Sequence, residues 1–453
     1  MERIKLSEHF NYRKLFRFVL PSVIMMAFVS IYGIVDGFFV SNFAGKIPFA
    51  ALNLIFPMIM ILGSVGFMLG TGGNAVVAKT LGEGEHQKAN QIFSLIIYTA
   101  VVLGVILSII GIAIAPSVAR LFAQSEKDMS PAEKEELIAC CILYVRIILS
   151  VLPAFMLQNA FQGFFVTAEK PRLGLYVTVL AGVGNILFDA LFVAVFKWGL
   201  AGAAAATALN QVIGGIIPIV YFSRKNDSLL RLGKTRFMGK TLLAVCINGM
   251  SELMTNISMS IVTILYNAQL MRLIGISGVS AYGIMQYLGF IFVAMFLGYS
   301  VGSAPIIGFH YGAQNHSELK NIFKKSLIIT SIAGAIMTLI GACFAVPLAS
   351  IFADNDAALL DVTVKGMRIF AFSFLTCGLN IFASAFFTAL SNGGVSLLIS
   401  FTRTFICQAI AVIILPIFWG VNGVWASLVV AEMVTVVLCA ALFFLLRKRY
   451  QYI

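Results

Sequence analysis

Twelve apolar runs, each long enough to cross a hydrocarbon layer, follow one another along the chain. They are roughly 15–40, 49–78, 92–115, 137–166, 173–196, 199–222, 242–273, 279–309, 326–352, 362–387, 395–418 and 421–446. A helix needs about 20 apolar residues to span a bilayer. In hydrocarbon every backbone N–H and C=O must find its partner within the protein, so such runs fold as helices. The fold class that follows is an all-α integral membrane protein with twelve transmembrane helices. Composition supports it: 60% of residues are hydrophobic and 11% charged, where soluble chains average about 45–50% and about 25%.

The formal net charge of +12 does not imply nucleic acid, because the basic residues sit in short connections between apolar runs. Assigned to the two sides of the membrane, 21 lysines and arginines fall on one side and 7 on the other. Arg146, Arg368 and Arg403 are embedded. The positive-inside rule then places both termini in the cytoplasm, with the chain multi-pass in a plasma membrane. The longest outer loop, 124–136, is acidic through Glu126, Asp128, Glu133, Glu135 and Glu136, and the longest inner connection, 223–240, is basic. The N-terminus lacks the short apolar core and small-residue site of a cleaved signal peptide. Seven cysteines without a CxxC pair and four histidines without ligand spacing predict neither a disulfide framework nor a zinc site.

The two halves repeat. Gly45, Gly72, Gly82 and His86 recur as Gly275, Gly302, Gly312 and His316 at a spacing of 230. Beyond the longer outer loop the spacing falls to 222, as in Arg146 and Arg368 or Gln158 and Asn380. Trp198-Gly199 recurs as Trp419-Gly420 at 221. Six spans return the chain to its starting side, so the repeats are parallel. They predict two six-helix lobes, 1–225 (the first six spans) and 226–453 (the last six), and suit alternating access to a cavity between lobes.

Ionisable groups in hydrocarbon are costly and usually mark an ion or substrate pathway. Asp36 lies in the first span, one turn after Tyr32, and Asn185 and Asp189 stand four apart on one face of the fifth. Thr207 adds an oxygen in the sixth. Oxygen groups suit a hard cation such as sodium, and a carboxyl beside another carboxyl is suited to carry a proton. The repeat places Tyr266 and Ala411 opposite Asp36 and Asp189, so this cation-coupling group belongs to the first lobe alone. Pro21 removes a helix hydrogen bond in the first span and offers a bend. In the second lobe Glu252 is a candidate to face the cavity and hold a cationic substrate. Glu432 matches Gln211 and reads as a polar interhelical contact, while Arg403 has no duplicate and reads as the partner of an acid. The duplicated Arg146 and Arg368 read as snorkelling side chains. No nucleotide-binding, nucleophile-elbow or zinc-protease motif is present, so the chain reads as no enzyme and needs no cofactor beyond a coupling ion.

Several motifs carry a family resemblance: Val35-Asp36-Gly37, Ala50-Ala51-Leu52-Asn53 with Pro57, Gly82-Glu83-Gly84, and Asn185-x-x-x-Asp189 followed by Gly199-x-x-Gly202 and Ala206-Thr207. In the second half Gly302-x-Ala304-Pro305-Ile306-Ile307-Gly308 joins them. Together they resemble the MATE (multidrug and toxic compound extrusion) exporters over essentially the whole chain, in a DinF-like pattern. The resemblance implies a V-shaped, two-lobe antiporter that expels lipophilic organic cations using a sodium or proton gradient. It implies a cation site, sodium or proton, at Asp36, Asn185, Asp189 and Thr207, with Tyr32 and Tyr144 nearby and Pro21 as the conformational bend. The NorM-like acid of the tenth span is absent from Ile369–Cys377, and Glu252 matches that pattern's other glutamate. A monomer suffices, since two lobes are already fused. The alternative is a flippase for lipid-linked precursors. Its anionic cargo would call for a cavity lined by Arg or Lys, whereas only three arginines are embedded here.

Overall fold

A computed structural model describes residues 4–125, 130–353 and 356–452. Arg3, Glu126, Lys127 and Asp128, part of the charge pattern above, lie outside the described residues. The first repeat contains α1 (Tyr12–Phe39), α2 (Lys46–Gly82), α3 (His86–Ser125), α4 (Pro131–Ser150), α5 (Leu152–Thr167), α6 (Pro171–Asp189) and α7 (Gly199–Ser223). The second contains α8 (Gly239–Ile274), α9 (Ile276–Gly312), α10 (His316–Cys343), α11 (Ala345–Ala353), α12 (Ala357–Phe370), α13 (Phe374–Ala389), α14 (Gly393–Phe401), α15 (Cys407–Trp419) and α16 (Val421–Tyr450). No strand occurs among the described residues. Among the described residues eleven helical stretches are long and apolar enough to span a bilayer, and the bent pair α4–α5 makes twelve.

That bend falls inside the fourth expected span, 137–166. The axis turns by 56° between Ser150 and Leu152. Pro153 follows at the start of α5, where its missing N–H is not needed by the new helix. The ninth run also breaks, at Phe344 between α10 and α11, and the tenth passes through a 3-10 turn at Ala371–Ser373. Three spans loosen into π-helical turns: Val40–Ala44 after α1, Ala190–Val195 after α6 and Thr402–Ile406 between α14 and α15.

Helix ends are set locally. Ser130 and Glu133 form a capping box at α4, and Asp356, Asn315 and Asn392 cap α12, α10 and α14 through side-chain oxygens. Four left-handed turn residues recur at the spacings of the sequence repeat. Gly45 (φ 103°) pairs with Gly275 (φ 68°), and Gly84 (φ 81°) with Gln314 (φ 55°), both 230 apart. Glu169 (φ 58°) pairs with Ser391 (φ 59°) at 222, and Gly199 (φ 56°) with Gly420 (φ 54°) at 221. The duplication is thus carried by backbone geometry as well as by residue identity.

The helices form two compact units. One comprises Phe28–Val77 and Glu85–Gly249, the other Met1–Ala27, Ala78–Gly84 and Met250–Ile453. Each includes the opening turns of the other repeat's first helix. In the first unit the start of α8 packs on α2, with Gly249 against Met68 O and Gly72 against Val245 O, so closely that a Cβ on either would collide. In the second unit the start of α1 meets α9, where Cβ atoms on Gly298 and Gly302 would lie 2.5 Å from Val23 Cα and 2.7 Å from Val19 Cγ1. Lipid offers no hydrophobic drive for helix association, so small residues that let backbones touch supply the packing instead.

Candidate functional site

The polar residues of the first unit converge from four helices. On α1, Tyr32 and Asp36 share a face, and on α6, Asn185 and Asp189 do the same. Gly182, one turn before Asn185, lets α1 approach: a Cβ there would lie 2.5 Å from Phe28 Cε1 and 2.8 Å from Tyr32 Cδ1. The approach brings the two carboxyls together as electrostatic neighbours.

Asn185 Nδ2 donates to Asp189 Oδ2 at 3.1 Å. Thr207 Oγ1, from α7, donates to Asp36 Oδ1 at 3.4 Å. Asn210, one turn on from Thr207, lies near the Tyr32 side chain. Tyr144, from α4, is buried and close enough to both acids to feel their charge. Asp189 and Asn185 are almost fully enclosed, whereas Asp36, Tyr32 and Thr207 are only half-buried.

Three buried oxygens at this site, Asn185 Oδ1, Asp189 Oδ1 and Asn210 Oδ1, have no hydrogen-bond partner among the described residues. A polar atom left so in an apolar interior costs about 1–3 kcal/mol. Acceptors that lack donors are the complement of a cation or an added proton, and the oxygen-only donor set fits a hard ion. The π-helical segments Val40–Ala44 and Ala190–Val195, which follow the two acids in sequence, touch one another and α7. π-turns inside α-helices occur often at functional sites.

All six first-lobe candidates, Tyr32, Asp36, Tyr144, Asn185, Asp189 and Thr207, fall in one cluster. Glu252, on α8, and Pro21, on α1, belong to the other unit. Pro21 is buried within α1, which continues through it to Phe39. Glu252 is half-buried and feels the charge of Arg403. Arg403 itself pairs with Glu432: Nε to Oε1 is 2.8 Å, and Asn380 Nδ2 donates to Oε2 at 2.6 Å. Arg403 Nη2 also lies 3.3 Å from Cys377 Sγ. Arg146 and Arg368 are exposed, as snorkelling side chains are.

The sequence reading passed over Asn210 and Gly182. Asn210 was findable, since it sits three residues from Thr207 on the same face. Gly182 lies seven residues before Asp189, also on its face, but its role depends on a partner helix far away in sequence. The π-turns have no sequence signature.

The MatE family model matches residues 21–191 and 253–414. The multidrug export protein MepA of Staphylococcus saprophyticus is 23% identical over 446 residues, covering 97% of this chain and 94% of the relative. MepA of Staphylococcus aureus is 23% identical over 449 residues with the same coverage. Among solved structures, a MATE in complex with MaL6 superposes with TM-score 0.88 at 21% identity, covering 96% of both chains. A MOP superfamily transporter from Pyrococcus furiosus, described as having a binding pocket of reverse polarity, superposes with TM-score 0.89 at 21% identity. It covers 100% of this chain and 99% of that one. At these identities the structures show that the fold is shared.

Proposed function

The chain belongs to the MatE family, a family of membrane transporters rather than enzymes, and from that membership we propose that it is a multidrug efflux antiporter coupled to sodium ions or protons. Its cargo on this reading is a range of lipophilic organic cations. The name of the relatives supports export of drugs. The single observation that carries the coupling is the Asp36–Asp189 pair with three unpartnered oxygens around it.

In the proposed cycle the ionised pair favours a cationic drug arriving from the cytoplasm. A sodium ion or proton entering from outside then takes the carboxyls, with Asn185 and Thr207 oxygens completing the shell for sodium. Neutralising the pair removes the attraction for the drug, and α1 adjusts near Pro21 as the drug leaves. A ligand shifts a conformational equilibrium only by its differential affinity for the two states, so drug and ion must compete for the same charge. The chain works as a monomer in the plasma membrane with both termini cytoplasmic, an orientation supported by the 21-to-7 distribution of basic residues.

The test is drug efflux from vesicles with sodium and proton gradients imposed separately. Asp36→Asn and Asp189→Asn should each lower efflux by at least about tenfold, the cost of losing one charged partner in a buried site. Wild-type rates from both variants at normal expression would sink the assignment.

A further inference from the structure

Before α1 begins, residues 4–11 run as a short strap fixed to the second unit. Leu6 and Phe10 are fully buried. Glu318, at the start of α10, receives the Phe10 N–H at 2.8 Å and stands 2.6 Å from His9 Nδ1. Phe10 O accepts from Lys325 Nζ at 2.6 Å and Asn321 Nδ2 at 3.0 Å. This clasp gives the strap a fixed outer face. Between that face and the first turns of α1 lies a groove of about 700 Å³, lined by Lys5, Glu8, Asn11, Arg13, Lys14 and Arg17.

The groove carries more positive charge than it neutralises. Glu8 is its one acid among the described residues, and it is taken: Lys14 Nζ stands 2.7 Å from Oε2, and the Lys5 N–H donates to Oε1 at 3.1 Å. The Lys14 hydrogen bond, with that from Lys5, holds the Glu8 carboxyl below the usual carboxylate range, so it remains an anion at neutral pH. Arg13 and Arg17 have no carboxylate within ion-pair distance among the described residues. They form one exposed row on α1, four residues apart, beside a second exposed row made by Tyr12 (48%) and Phe16 (59%).

A guanidinium row presents planar forks that match phosphate oxygens. An aromatic row next to it, at the start of a span, matches the boundary between headgroups and acyl chains. A soluble anion would use only the first row; a phospholipid uses both. We propose that this groove binds the phosphate of an anionic phospholipid headgroup, with Arg13 and Arg17 as its ligands and Phe16 against the acyl chain. The occupant would pin the strap end of α1, the helix whose far end carries Asp36. The inference does not rest on the transport reading.

The experiment places the full chain in nanodiscs of phosphatidylcholine, with and without cardiolipin, and labels arginines with phenylglyoxal. Labelled peptides are read by mass. Cardiolipin should slow modification of Arg13 and Arg17 about tenfold, from two basic contacts at a charged surface. Arg236, itself exposed in the connection 223–240, should be slowed far less. Equal protection of Arg236 would reduce the effect to surface potential and overturn the groove. Protection by inorganic phosphate in pure phosphatidylcholine would overturn the lipid in favour of a soluble anion. No protection would overturn the site altogether. As a second measurement, Arg13→Gln/Arg17→Gln should lose cardiolipin retained in native mass spectra, whereas Lys234→Gln/Arg236→Gln should keep it; equal retention would count against the proposal.

Discussion

Glu432 is tolerated at 1% exposure because two donors, Arg403 Nε and Asn380 Nδ2, meet its carboxyl oxygens. A buried ion pair of this kind adds little net stability, since desolvation offsets attraction. Breaking it is another matter. Arg403→Ala leaves the Glu432 carboxyl without its counter-ion and should cost about 3–5 kcal/mol. Arg403→Met/Glu432→Gln removes both charges and should recover most of that loss. Thermal unfolding of the purified protein reads the difference, and a single variant as stable as the double would refute the argument. The sequence makes Arg403 conspicuous, because it is embedded and unduplicated. It does not identify the acid 29 residues away, since that contact depends on how α16 packs beside the π-turn Thr402–Ile406.

At the scale of elements, α1 and α6 owe their approach to Gly182. Gly182→Val should overpack the crossing by about 1–3 kcal/mol and separate Asp36 from Asp189. Efflux should fall further than stability alone explains. Gly184→Val is the control, because the nearest atom to a Cβ at Gly184 is 3.7 Å away; equal efflux from the two variants would remove Gly182 from the account.

What could be read beforehand divides along the same line. The spans were legible because a bilayer imposes one length and one composition on each. The acids were legible because a carboxyl in hydrocarbon needs a reason. The 56° turn before Pro153 was not, since proline also occurs inside the unbroken helices α1, α2 and α3. Nor were the π-turns beside Asp36 and Asp189, which follow from packing rather than from residue type.

Over the whole molecule, the repeat also has matched crossings. In the second unit, Gly82 of α2 meets Phe309 O of α9, and Gly312 meets Lys79 O. Each glycine is the other's counterpart at a spacing of 230. A Cβ at either would strike backbone, which cannot turn aside as a flexible side chain can. Gly82→Val and Gly312→Val should therefore lower the melting temperature by similar amounts. A large effect from one and none from the other would show that the crossing no longer bears equally on both helices.

The exchange of opening turns between the units sets an order on synthesis. When the ribosome has delivered residue 225, the first unit still lacks the segment up to Gly249 that lies against Met68 and Gly72. The segment Tyr12–Ala27, among the first to emerge, must wait for Gly298 and Gly302 before it finds its seat. Many chains complete one domain before starting the next. This one cannot: the first unit needs the chain up to Gly249, past the midpoint, and the opening turns of the earliest helix find their partners only once residues 298–302 have been made.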